Sequence, residues 1–149
     1  MPQDPTTGVY YEVHGRGRPL FLAFPVMASY GEIFGDPTAA VLHGFLDRLT
    51  DRYRVLIVDY PSIGKSADIP PDDLTVDRVC ADMLGVATAA GFDRFAWWGS
   101  TWGAIVGLQL AARSDRVTAL ACGGWPPLGG QYADILRAVQ LSVADPPAS

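Results

Sequence analysis

Gly99-Ser100-Thr101-Trp102-Gly103 sets two hydroxyls between two glycines, directly after the apolar run Phe95-Ala96-Trp97-Trp98 and directly before a helical stretch. A hydroxyl held at a tight strand-to-helix turn can attack a carbonyl carbon as a nucleophile. Such a turn needs a small residue two positions before and two positions after its apex, because the chain doubles back there and bulk would clash. Gly99 and Gly103 meet that need only with Thr101 at the apex. With Ser100 at the apex, Trp98 and Trp102 would fill the two small positions. The candidate nucleophile is therefore Thr101, although serine is the less hindered alcohol.

The elements that would hold this turn are legible from apolar patterning. Val9 to His14 alternates and reads as a first strand, and a turn follows at Gly15-Arg16-Gly17-Arg18-Pro19. Leu20 to Phe24, Arg54 to Asp59, Phe95 to Trp98 and Val117 to Cys122 are short apolar runs of the kind that form buried strands. Asp36-Pro37 is a helix start, with apolar residues following at Ala40, Val41, Leu42, Phe45, Leu46 and Leu49. Thr75 caps a predicted helix over Val76 to Ala90, stopped by Gly91. Thr101 to Arg113 and Gln131 to Val143 read as further helices. Strands alternating with amphipathic helices predict βαβ units, and hence a mostly parallel sheet covered by helices on both faces. Ligands of such sheets sit beyond the carboxyl ends of the strands.

The motifs, taken together, resemble the α/β-hydrolase superfamily. Phe95 to Gly103 looks like its strand and nucleophile elbow. Asp59-Tyr60-Pro61-Ser62-Ile63-Gly64-Lys65-Ser66 is similar to its D-x-P-G-x-G-x-S loop. Tyr11 to Leu20 resembles its opening Y-E-x-x-G-x-G-x-P-L, and Leu110 to Val117 its L-A-A-R-x-x-x-R-V helix exit. The pieces keep the family's order and spacing over nearly the whole chain. The resemblance implies a single α/β domain over residues 1–149, truncated at its C-terminal side. It also implies a hydrolase of ester-like or other acyl substrates. In the family, the oxyanion is held by one backbone N–H from the loop after the first central strand and one from the residue after the nucleophile. By position these donors are Val26 and Trp102.

Departures from the family pattern bear on the chemistry. Threonine stands where the family has Ser, Asp or Cys, and a β-branched residue is disfavoured in a strained backbone. Phe24-Pro25 replaces the usual His-Gly, but Pro25 leaves the Val26 N–H in place. The family's acid and His follow the nucleophile, whereas both histidines here, His14 and His43, precede it. His14 belongs to the first strand and His43 to the first helix, which are structural positions. Asp59 fits a turn, Asp134 a solvated helix face, and Gly123 to Pro127 holds no carboxylate. Trp97 and Trp98 read as core, while Trp102 reads equally as core or pocket wall. The alternative function is accordingly a catalytically inactive α/β-hydrolase-like domain used for binding or assembly.

Composition narrows the partners. The net charge is −5 with a single lysine, Lys65, and scattered arginines, which argues against a phosphate-backbone binder. No apolar run approaches the ~20 residues of a membrane span, and the N-terminus lacks a basic-then-apolar leader. The expected location is cytoplasmic. Gly15-Arg16-Gly17 opens no helix and is not a dinucleotide fingerprint, and Gly64-Lys65-Ser66 lacks the upstream glycine of a phosphate loop. No residue cluster has zinc spacing. No cofactor or metal is expected, and Cys80 and Cys122 read as buried free thiols. The expected ligand is a small-molecule substrate. Val117 to Cys122, left as an apolar edge, is expected to pair with a second copy or with a complementing C-terminal fragment.

Overall fold

The computed structural model of the chain describes residues 3–23, 44 and 46–124. Among these, β1 (Tyr11–Gly15) and β2 (Arg18–Ala23) come first in the chain, separated by a short turn, followed by β3 (Tyr53–Val58). Helix α1 (Val76–Ala89), β4 (Phe95–Ser100), α2 (Trp102–Arg113) and β5 (Val117–Gly123) complete the described elements, with a 3₁₀ turn at Pro71–Asp73. The strands form one sheet in the order β1-β3-β2-β4-β5. The pairs β2–β3, β2–β4 and β4–β5 are parallel, and β1–β3 is antiparallel. The sheet is thus mixed and mostly parallel, as the patterning predicts.

Side chains alternate across the sheet as strand geometry requires. Phe21, Ala23, Leu56, Phe95 and Trp97 point to one face, where they bury Val79, Met83, Val86, Val106 and Leu110 from α1 and α2. Leu20, Leu22, Val55 and Ile57 point to the other, against Leu46 and Leu49 of the helical residues 46–49. Helices therefore cover both faces.

Several local signals hold. The Thr75 hydroxyl accepts from the Arg78 N–H at 3.2 Å, capping α1. Gly91 follows the helix with φ +74°, the left-handed stop that glycine adopts without strain. Other boundaries move by one or two residues. β4 runs on to Ser100, because the parallel ladder continues as far as Ser100↔Gly123. α2 starts at Trp102, because Thr101 has a non-helical backbone. The reading of Cys122 as a buried thiol is corrected: it is exposed, since β5 is an edge strand, whereas Cys80 is buried and both are free. The predicted helix start at Asp36-Pro37, the helix Gln131 to Val143, and the residues Phe24, Pro25, Val26, His43 and Asp134 lie outside the described residues. No helix among the described residues is long and apolar enough to cross a membrane.

Candidate active site at the strand-to-helix elbow

The elbow is built by close backbone packing. Thr101 sits between β4 and α2 with φ 52° and ψ −113°, one of two non-glycine residues described at positive φ. A β-branched residue there is a true outlier. Such strain persists only where the surroundings over-determine it. The surroundings are visible at the two glycines. A Cβ on Gly99 would lie 2.2 Å from the Gly103 carbonyl oxygen, and one on Gly103 would lie 2.4 Å from the Ala23 carbonyl oxygen. Both contacts are with backbone and leave no room for any side chain. The two close backbone approaches thus lie on either side of Thr101, the residue at positive φ.

Two further supports fix the turn. The Thr101 N–H donates to the Gly123 carbonyl at 2.9 Å, joining the elbow to the end of β5. The Trp97 indole Nε1–H donates to the Gly103 carbonyl at 2.8 Å, and the Trp97 ring packs so closely on α2 that a Cβ on Gly107 would lie 2.4 Å from it. Trp97 belongs to the core, as its place in an apolar strand predicts, at 1% exposure. The same ring also braces the first turn of α2, which an apolar strand pattern does not announce. The available signal was Gly107, ten residues on and one residue into the second turn of α2.

Around the apex, Thr101 is exposed and its hydroxyl donates to the Ser100 carbonyl at 2.8 Å. Because the Thr101 N–H is taken by Gly123, it is not free to hold an oxyanion. The Trp102 N–H, at the first helical position, has no intrahelical acceptor and lies at the positive end of the helix dipole. The Trp102 side chain is 41% exposed. It forms one wall of an apolar cleft of about 70 Å³ between α1 and α2, with Leu74, Val76, Val79, Cys80 and Ile105. Burial pushes the Cys80 thiol above its usual value, so it stands in the cleft as a neutral, weakly polar lining.

The remaining titratable residues sit elsewhere. His14 on β1 pairs with Val55 near the start of β3, so it lies toward the end of the sheet opposite the elbow. β1 is also three strand spacings from β4, roughly 14 Å across the sheet. His14 bonds Glu12 at 2.8 Å, and the Tyr10 hydroxyl donates to the same carboxylate at 2.6 Å. Burial raises the Glu12 pKa, but those two bonds together with the electrostatic pull of His14 and Lys65 outweigh it and hold the carboxyl below its usual range. This network belongs to the far edge of the sheet. Asp59 is buried and its carboxylate accepts from the Lys65 N–H at 3.0 Å, which is the work of a turn residue. Within that loop Ser62 takes φ 62° where the family pattern has glycine. Its hydroxyl offsets the strain by accepting from the Ile69 N–H at 3.0 Å. Among the described residues no group of His, Cys, Asp or Glu could hold a metal ion.

A family profile described as "alpha/beta hydrolase fold" matches residues 34–138, more than two thirds of the chain. The chain belongs to the α/β-hydrolase fold family. The "Putative carbamate hydrolase RutD" of Azorhizobium caulinodans is 32% identical over 125 residues, covering 82% of this chain and 43% of that protein. Its namesake in Enterobacter cloacae is 33% identical over 82 residues, which is 54% of this chain. Among solved structures, a hydrolase from Pseudomonas aeruginosa superimposes with a TM-score of 0.65 at 25% identity, over 89% of this chain and 48% of that one. The enol-lactonase of Burkholderia xenovorans superimposes with a TM-score of 0.59 at 23% identity, a likeness of fold. The chain thus spans less than half the length of the Azorhizobium protein and of the Pseudomonas hydrolase.

Proposed function

We propose that this α/β-hydrolase chain is the nucleophile-bearing part of a hydrolase of ester-like or other acyl substrates, with Thr101 as nucleophile. The observation that carries the reading is the strained, exposed Thr101 backbone, held at a turn whose flanking glycines admit no side chain. The carbamate-hydrolase name of its relatives fits an acyl carbonyl as the reacting group.

In this reading the Thr101 Oγ attacks the substrate carbonyl carbon. Its proton passes to a base and the carbonyl π electrons move to oxygen. The resulting oxyanion is held by the Trp102 N–H and, from the loop after β2, by the Val26 N–H. Collapse breaks the bond to the leaving alcohol or amine, which takes the proton from the base, and water then hydrolyses the acyl-threonine. The exposed Trp102 ring and the apolar cleft beside it would receive a hydrophobic part of the substrate. A cytoplasmic location belongs to the same proposal and is supported by two unpaired cysteines.

The second reading, a catalytically inactive binding or assembly domain, is favoured by one specific observation. The Thr101 hydroxyl is turned to the Ser100 carbonyl, and no described imidazole or carboxylate is bonded to it. Hydrolysis of p-nitrophenyl acetate separates the two, measured with imidazole added as an external base and the buffer rate subtracted. The hydrolase reading expects imidazole to raise the rate of the wild type and to leave Thr101→Ala at background. Equal imidazole dependence in both proteins would sink Thr101 as nucleophile.

A further inference from the structure

The cleft between α1 and α2 is built by two matching stripes. On α2, Trp102, Ile105, Val106 and Gln109 recur at helical spacing, so they share one face. On α1, Val76, Val79 and Cys80 do the same. α2 starts directly after the elbow, so its stripe leaves Thr101 at Trp102 and runs about 10 Å along the helix to Gln109. There the apolar lining stops. Arg113 donates to the Gln109 side chain and, at 3.4 Å, to Asp77 of α1, so a polar bridge joins the helices beyond the stripe. Of the four large apolar side chains exposed among the described residues, three stand on this cleft: Leu74, Val76 and Trp102. Exposed apolar surface gathered in one place marks a site where an apolar group binds.

We infer that this cleft seats a short, straight, uncharged acyl chain of the substrate, up to four carbons long, with Ile105 limiting its length. That the chain belongs to a substrate rests on the hydrolase reading; the seat for an alkyl chain does not. Volume sets the length. The cleft holds about 70 Å³, half the ~150 Å³ of an apolar cavity that accepts benzene. Lining sets the polarity. No charged side chain lines the cleft, so an ionised group entering it would lose water without gaining a partner. Its polar lining is already engaged: the Thr75 hydroxyl accepts from the Arg78 N–H, and the Gln109 side-chain carbonyl accepts from Arg113. Ile105 is half-buried and stands one helical turn beyond Trp102, in the path of a chain that enters from the elbow.

The test titrates the 149-residue chain with neutral straight-chain amides, from acetamide to octanamide. Carbon-13 methyl signals of Ile105 and Val79 report binding in the cleft. Affinity is expected to rise about fourfold per added carbon as far as butyramide, as each methylene leaves water, and to level off beyond it. Ile105→Ala keeps a good helix former and clears about three carbons from the wall, so the rise should extend to hexanamide. The methyl signals of Val55 and Ile57, on the opposite face of the sheet, should stay in place and report an intact fold. If that variant does not fold, the wild-type plateau decides by itself. Hydrolysis of p-nitrophenyl acetate, butyrate and octanoate, with imidazole added, then ties the seat to the reaction: kcat/KM should rise from acetate to butyrate and no further. Binding without hydrolysis supports the seat and counts only against the hydrolase reading. Hydrolysis whose chain-length preference departs from that of binding overturns the assignment to a substrate. The absence of a saturable shift at Ile105 and Val79, an affinity that keeps rising through octanamide, or a plateau that a folded Ile105→Ala does not move overturns the inference.

Discussion

A threonine at φ 52° holds its backbone where a side chain with a branched Cβ costs on the order of 1–3 kcal/mol. Nothing in the packing of an ordinary strand-to-helix turn calls for that expense, so the residue itself is the place to measure it. Thr101→Gly keeps the positive φ and removes the strain. It is expected to raise the unfolding free energy by about 1 kcal/mol, or roughly 2–4 °C in melting temperature for a chain of this length, while removing the hydroxyl. Stability gained at the cost of reactivity is the pattern of a strained functional site. A lower melting temperature for Thr101→Gly would show that the Thr101 side chain stabilises the turn. Ser62 makes the contrast: it also sits at positive φ, at 62°, but its hydroxyl bonds the Ile69 backbone and gives the strain a local return. Thr101 has only the carbonyl of its own neighbour.

At the scale of elements, the elbow is held by glycines that cannot be replaced for a reason specific to each. Gly103→Ala drives a Cβ into the Ala23 carbonyl, a backbone contact that β2 cannot relieve without shifting in the sheet. Overpacking of this kind costs about 1–3 kcal/mol. Gly44→Ala is the matched control: the residue is helical and exposed, and an added methyl would meet nothing within 4 Å. It should gain about 0.5–1 kcal/mol through helix propensity. Thermal denaturation of the two variants is expected to move in opposite directions, and a Gly103→Ala midpoint equal to wild type would contradict the elbow packing. The register of this turn was legible in the sequence because it depends on a requirement for small residues, and glycine states that requirement in its identity. The brace from Trp97 to the Gly103 carbonyl was not legible. An indole in an apolar strand reads as core, and its N–H partner is set by how α2 crosses the sheet.

For the whole molecule, alternating apolar strands and amphipathic helices were enough to predict a mostly parallel sheet with both faces covered. Pairing direction at the edge was not: β1 runs antiparallel to β3, and the alternation of Val9 to His14 is the same whichever way a strand runs. The exposure of Cys122 escaped for a related reason, since an apolar run such as Val117 to Cys122 does not say whether another strand lies beyond it. Missing the base was a different matter. The two histidines could be set aside from their place in the chain, and the structure puts His14 toward the far end of the sheet, bonded to Glu12. What the described residues do bring together at one end of the sheet is the strained, exposed Thr101, the first N–H of α2 and an apolar cleft beside Trp102. The central claim is that Thr101 is the reactive group of that assembly. A fluorophosphonate probe tests it most directly, because attack forms an Oγ–P bond, expels fluoride and marks the residue permanently. The chain is treated with the probe and the adduct is located by peptide mass spectrometry. The account predicts the adduct on Thr101, absent from Thr101→Ala. An adduct on Ser100, labelling undiminished in Thr101→Ala, or no adduct would contradict it.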